Sequence, residues 1–254
     1  MSEQHNKRNF SDPSDAYYYA CTIIRGRWPE AEPYIKKSPE YTYYYARDVI
    51  SGRWIDAEPY IMEEPQYAYH YAYDIIKGRW KEAEPYIKKS PKYAYYYARD
   101  VIKDRWKEAE PIILQDLEDA VDYARYVIKG RWPELESLIV DDSYWAVRYA
   151  RNVIKGRWPE AEPVIMKDPF SAVDYARDVI KGRWPKAEKY IVKDGYNAIR
   201  YAVSILKKRW KKAEPAMIRD LEESDYAKAY IRGLIKELDK LESIISNIKN
   251  NTTK

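Results

Sequence analysis

Tryptophan stands at Trp28, Trp54, Trp80, Trp106, Trp132, Trp158, Trp184 and Trp210, one every 26 residues, and an arginine precedes each. A strict period of this length marks stacked supersecondary units. A single unit cannot bury its own apolar face and must bury it against its neighbours. The period therefore restricts both fold and function, because stacked units offer an extended surface rather than one deep pocket. Trp145 alone stands outside the series.

Residues 167–193, KDPFSAVDYARDVIKGRWPKAEKYIVK, show the plan of one unit. Asp168 before Pro169 reads as a helix N-cap and first helical position, and Ser38–Pro39, Ser90–Pro91 and Asp12–Pro13 repeat that signal. Ala172, Tyr175, Ala176, Val179 and Ile180 then follow the spacing of an amphipathic stripe, which predicts a helix A of about 13 residues. Gly182, like Gly26, Gly52, Gly78, Gly130 and Gly156, stands where a left-handed helix-ending residue is expected. A shorter helix B follows the Arg–Trp turn, with Glu30, Glu32 and their counterparts in its dipole-favoured first turn. Pro33, Pro59, Pro85, Pro111, Pro163 and Pro215 fall at its fifth residue, where proline costs a hydrogen bond. That conflict predicts a tight 3₁₀-like first turn or a later helix start. The tryptophans are expected to plug the joints between units, and each preceding arginine to pair with a helix B glutamate.

The expected fold is all-α, an α-solenoid of eight 26-residue helix-turn-helix repeats over 12–220, with a C-terminal capping helix over 221–248. That helix lacks the Gly–Arg–Trp turn and is expected to break at Gly233 if anywhere. Residues 1–11 and 249–254 are expected to be disordered tails.

Composition narrows the function. The chain holds 28 Tyr and 9 Trp but only 2 Phe, which suits a thin core that is close to water everywhere. Its 45 basic and 41 acidic residues give a net charge of +4, short of the strongly basic profile of a dedicated nucleic-acid domain. Cys21 is the single cysteine, which leaves no disulfide framework and no cysteine metal site. The opening MSEQHNKRNF has no apolar signal region, and no apolar run is long enough to span a membrane, so a cytoplasmic location without membrane contact is expected. His5 and His70 are the only histidines, and no glycine loop is built to cradle phosphate. The paired glutamates of helix B point to different helix faces. No enzyme activity, metal or cofactor is expected.

Function is expected in the positions that vary within the frame. The outward stripe of helix A falls 13, 16, 20 and 23 residues after each tryptophan: Tyr41, Tyr44, Asp48 and Ser51, then Tyr67, His70, Asp74 and Lys77, then Tyr93, Tyr96, Asp100 and Lys103. Later repeats turn the aromatic positions charged or small, as at Asp119, Asp122, Ser171, Asp174, Asn197 and Arg200. Tyr and Arg together have the composition of binding hot spots. The expected binding residues are Tyr18, Tyr41, Tyr44, Arg47, Tyr67, His70, Tyr93, Tyr96, Arg99, Arg125, Arg148 and Arg151. Residues 34–50 and 86–102 are nearly identical, so duplication of a tolerated surface is an equally open account of the tyrosines. The leading expectation is a non-catalytic binding protein with a protein partner. The alternative is nucleic acid or an anionic nucleotide stacked on the same ladder, against which Asp48, Asp74, Asp100 and Asp178 count.

The pattern YARxVIKGRWPEAE, clearest at Tyr149–Pro163 and Tyr175–Trp184, resembles short tandem α-helical repeats in uncharacterised proteins of tailed bacteriophages and related viral genomes. The resemblance runs from residue 12 to about 220. It implies a viral or mobile-element origin, and a protein that blocks or sequesters a host component such as one of its defences. It carries no established activity over to this chain. Asp104 and Lys208 depart from the pattern at the turn glycine, and Leu135, Ser137 and Leu138 depart from it in one helix B.

Overall fold

A computed structural model describes residues 12–220 and, in the C-terminal segment, residues 232, 233, 236, 237, 239, 240 and 243. The described residues are helical without a strand and form the expected all-α repeat solenoid. Both expected tails lie outside the described residues, as does most of the expected capping helix. Its described residues are helical, Gly233 included, and Asp239 reaches Arg209 at 3.5 Å. Internal contacts divide the chain into two compact units, Met1–Lys129 and Gly130–Lys254. The first holds four helical hairpins and the fifth helix A; the second opens on the fifth helix B and continues through three more hairpins.

Each helix A begins as α-helix and ends as π-helix. In the second hairpin the α-helical part is Pro39–Tyr45 and the π-helical part Ala46–Ile50. Ser38 caps it by accepting the Tyr41 N–H, and Asp12, Asp116, Asp142, Asp168 and Asp194 cap their own helices in the same way. Among the described residues eight π-segments begin at or just after the same repeated tyrosine. A lone π-turn often marks a functional site. One that recurs in every repeat belongs to the frame instead.

The helix stop corrects the expectation for glycine. The left-handed residue is the one before it: Arg25, Ser51, Lys77, Lys103, Lys129, Lys155, Lys181 and Lys207, with φ between 51° and 61°. No glycine among the described residues has a positive φ. The widened last turn is the reason. The Ala46 carbonyl accepts the Ser51 N–H five residues on, and the Gly52 N–H at 3.2 Å. The left-handed position is thus the residue that closes the π-turn. Asp104 and Lys208 replace the glycine, yet Lys103 and Lys207 before them stay left-handed.

The helix B prolines fit through a later start. After the tryptophan comes a 3₁₀ turn, such as Ile55–Ala57, or an open turn, and the α-helix opens on the glutamate before the proline, as in Glu32–Ile35, Glu58–Ile61 and Glu162–Ile165. Proline then lies in the first turn, where its missing N–H costs nothing. Where Ser137 and Lys189 replace it, helix B lengthens to seven residues, Pro133–Ile139 and Pro185–Ile191.

The joints between hairpins use one repeated device. The Trp54 N–H donates to the Tyr71 hydroxyl of the next hairpin at 2.7 Å, and that hydroxyl donates to Glu58 at 3.1 Å. Arg53 holds the same glutamate through two bonds of 2.8 and 2.9 Å. The Tyr71 ring packs on Trp80 at 5.0 Å. Trp28 with Tyr45, Trp80 with Tyr97 and Trp106 with Tyr123 repeat the first bond in the first unit. Trp132 with Tyr149, Trp158 with Tyr175 and Trp184 with Tyr201 repeat it in the second. This N–H precedes helix B, has no helical partner and needs an acceptor. Six of the eight repeated tryptophans are at most 3% exposed, whereas Trp28 and Trp210 at the two ends are half-buried.

Candidate interaction surface

In the first unit the expected binding residues lie along helix A as a joined aromatic layer. Tyr18 is exposed, and Tyr41, Tyr44, Tyr67, His70, Tyr93 and Tyr96 are half-buried. Tyr41 lies 6.1 Å from Tyr44, Tyr44 lies 6.4 Å from Tyr67, and Tyr93 lies 6.1 Å from Tyr96. What joins the rings is a position outside the expected set: Tyr17, Tyr43, Tyr69 and Tyr95. Tyr43 meets Tyr67 at 6.1 Å and His70 at 5.9 Å, and Tyr69 meets Tyr93 at 6.1 Å and Tyr96 at 5.9 Å. Val121, Val147, Val173 and Ile199 hold that position in the later repeats, an apolar column visible in the sequence.

The aspartates of the stripe are tied into the frame by hydrogen bonds from the preceding hairpin. Tyr17 donates to Asp48 at 2.7 Å, Tyr43 to Asp74, and Tyr69 to Asp100 at 2.8 Å. Each bond ties one hairpin to the next. Arg47 grips Asp48 through two bonds of 2.7 and 2.9 Å while lying over Tyr43 and Tyr44 at 5.2 and 4.9 Å. Arg99 does the same with Asp100 and lies over Tyr95 and Tyr96. The Arg47 guanidinium holds the Asp48 carboxyl below its usual range. Burial, aided by Asp74, pushes the Tyr43 hydroxyl up to about 12. Burial also lowers the His70 pKa, so the ring is neutral at neutral pH. Arg47, Arg99 and Arg125 are all exposed, but Arg47 and Arg99 are each held by an aspartate and two rings, whereas Arg125 lies over Tyr126 at 4.7 Å.

The second unit presents a different set. Tyr144, Phe170 and Tyr196 occupy one repeat position and are 55%, 46% and 60% exposed. The first unit has Glu40, Gln66, Lys92 and Glu118 there. Arg200 lies over Phe170 at 4.5 Å and over Tyr196 at 5.9 Å, and it donates to Asp174 at 2.6 Å. Arg148 lies over Trp145 at 5.2 Å. Arg151 donates to Asp178 at 3.0 Å, and Arg177 bridges Asp174 and Asp178. A small pocket opens between Tyr144 and Phe170, with Arg148, Arg151 and Asp174 in its lining. The arginines at the expected sites Arg148 and Arg151 thus share a face with aromatics that a tyrosine stripe set one residue later does not include. The signal for them is aromatic recurrence at the repeat period.

Among the described residues no group of three or more His, Cys, Asp or Glu side chains is arranged to hold a metal ion, and no helix is long and apolar enough to cross a membrane. Compared with protein-family models, curated proteins and solved structures, the chain matches none.

Proposed function

We propose that this is a non-catalytic binding protein that engages a protein partner through the aromatic and arginine side chains of its helix A faces, and acts by occluding or sequestering it. The exposed row of Tyr144, Phe170 and Tyr196 carries the reading. Three large aromatics exposed at one repeat position are unusual on a surface with no partner. With arginines stacked beside them they have the composition of interface anchors. Rings held on a rigid repeat lose little freedom on binding. Within the first unit, the half-buried Tyr41, Tyr44, Tyr67, His70, Tyr93 and Tyr96 offer the same chemistry. A host-cell protein is the partner class that fits the phage-like repeat pattern. Nucleic acid is the weaker reading, because aspartates already hold Arg47, Arg99, Arg151 and Arg177.

The test is affinity capture from host-cell lysate with and without nuclease, repeated with Tyr144, Phe170 and Tyr196 all changed to Ser. A protein retained after nuclease, lost with the triple variant and little affected by salt supports the reading. Capture that vanishes with nuclease, or weakens steeply with salt, overturns it in favour of nucleic acid.

A further inference from the structure

One repeat keeps the aspartate of the frame without the arginine that precedes it elsewhere. At one repeat position stand Arg47, Arg99, Arg125, Arg151 and Arg177, while the first, third and eighth hairpins have Cys21, Tyr73 and Val203 there, and of these three only Tyr73 is followed by an aspartate. Arg47, Arg99 and Arg177 each grip the aspartate that follows them through two hydrogen bonds. Asp74 follows Tyr73. It accepts the Tyr43 hydroxyl and makes no ion pair among the described residues. Arg47 donates to that same hydroxyl at 3.3 Å but is held on Asp48. Beside Asp74 the surface opens into a pocket of about 370 Å³ lined by Tyr73, Asp100 and Val101, with the exposed Lys77 and Lys103 also bordering it. The Tyr73 ring is 50% exposed and stacks on Tyr69 at 6.1 Å.

We propose that this pocket takes the guanidinium of an arginine from the protein partner, in the place that the chain's own arginine fills in the neighbouring hairpins. The neighbours serve as the template. Arg47 and Arg99 show a guanidinium bound by an aspartate fork and laid flat on tyrosine rings. Asp74 supplies the carboxylate, and Tyr73 and Tyr69 supply the rings. A planar fork satisfies both oxygens at once, which an ammonium cannot do. Lys77 and Lys103 border the same pocket, so the arginine it accepts is flanked by carboxylates that meet them. The proposal rests on the protein-binding reading above and names the chemistry of one contact.

The test uses the full ¹⁵N-labelled chain and three probes: acetyl-Glu-Arg-Glu-amide, the same peptide with citrulline at its centre, and inorganic phosphate. The arginine peptide shifts the amides of Tyr73, Asp74, Gly78 and Val101 to saturation. Citrulline, with the same shape and no charge, binds about tenfold or more weakly. Tyr73→Arg restores the frame residue, keeps the spectrum of the fold and abolishes the shifts. Asp74→Asn keeps an acceptor for Tyr43 and weakens binding as citrulline does. Equal binding of the citrulline peptide, phosphate shifting these amides in place of the arginine peptide, or shifts that survive Tyr73→Arg would overturn the proposal. A captured partner that binds Tyr73→Arg as tightly as the unaltered chain also overturns it, while leaving the protein-binding reading in place.

Discussion

A tyrosine hydroxyl joins each hairpin to the next by accepting the tryptophan N–H. Tyr71→Phe keeps the ring but leaves the buried Trp54 N–H without an acceptor. The expected loss is about 1–3 kcal/mol, measured by denaturant unfolding. The indole N–H of Trp54 and of Trp184 is buried with no hydrogen-bond partner among the described residues. At those rungs the tryptophan is kept for ring area rather than for its side-chain donor. Asp119 carries a pH dependence of its own. Burial raises its pKa to about 6, and Asp116, Glu118 and Asp122 push the same way. The folded state therefore holds that proton more tightly than the unfolded chain, and the stability linked to it is lost as pH rises through about 6. Asp119→Asn is expected to raise stability at pH above about 7 and to have little effect near pH 4; parallel unfolding curves at the two pH values check it. At this scale the arginine–glutamate pairs were legible, because they are identical in each repeat and lie close in sequence. The tyrosine bond to the tryptophan backbone was not, since a turn and a helix separate its two ends.

At the scale of the element, both helices were legible and their endings were not. The sequence puts a glycine after six of the eight helices A but does not reveal the π-turn, which moves the left-handed position to the residue before it. The proline conflict in helix B was visible, and the structure resolves it by where the helix starts. One glycine is needed for space alone. Gly195 opens the eighth helix A against helix B of the same hairpin, and a Cβ there would lie 2.8 Å from Met217 Cα and collide with the Ala216 carbonyl. Both obstacles are backbone, so Gly195→Ala must separate the two helices. The expected cost is about 1–3 kcal/mol, read as a drop in unfolding midpoint. Most other repeats carry proline at this position, and nothing in the sequence marks the close approach.

At the scale of the whole molecule, positions that repeat build the fold and positions that vary are proposed to bind. Acid probes the first group. Arg131, Arg157 and Arg183 lower the pKa of Glu136, Glu162 and Glu188. Their contribution is present at neutral pH and is lost as pH falls through those lowered values. Replacing the three arginines with glutamine should therefore flatten the fall in stability on acidification. The candidate surface was half legible. The tyrosine stripe of the first unit stood out because tyrosine dominates there, but its burial and its aspartate partners depend on the neighbouring hairpin. The row of Tyr144, Phe170 and Tyr196 was obscured because its residue types differ. The most direct test of the division is the thermal midpoint of two variants: Tyr144, Phe170 and Tyr196 changed to Ser, and Tyr149 and Tyr175 changed to Phe. The account predicts that the first, though it removes three whole rings, stays within about 2 °C of the unaltered chain. The second, though it removes only two hydroxyls, falls by several degrees. A first variant that loses as much as the second would contradict it.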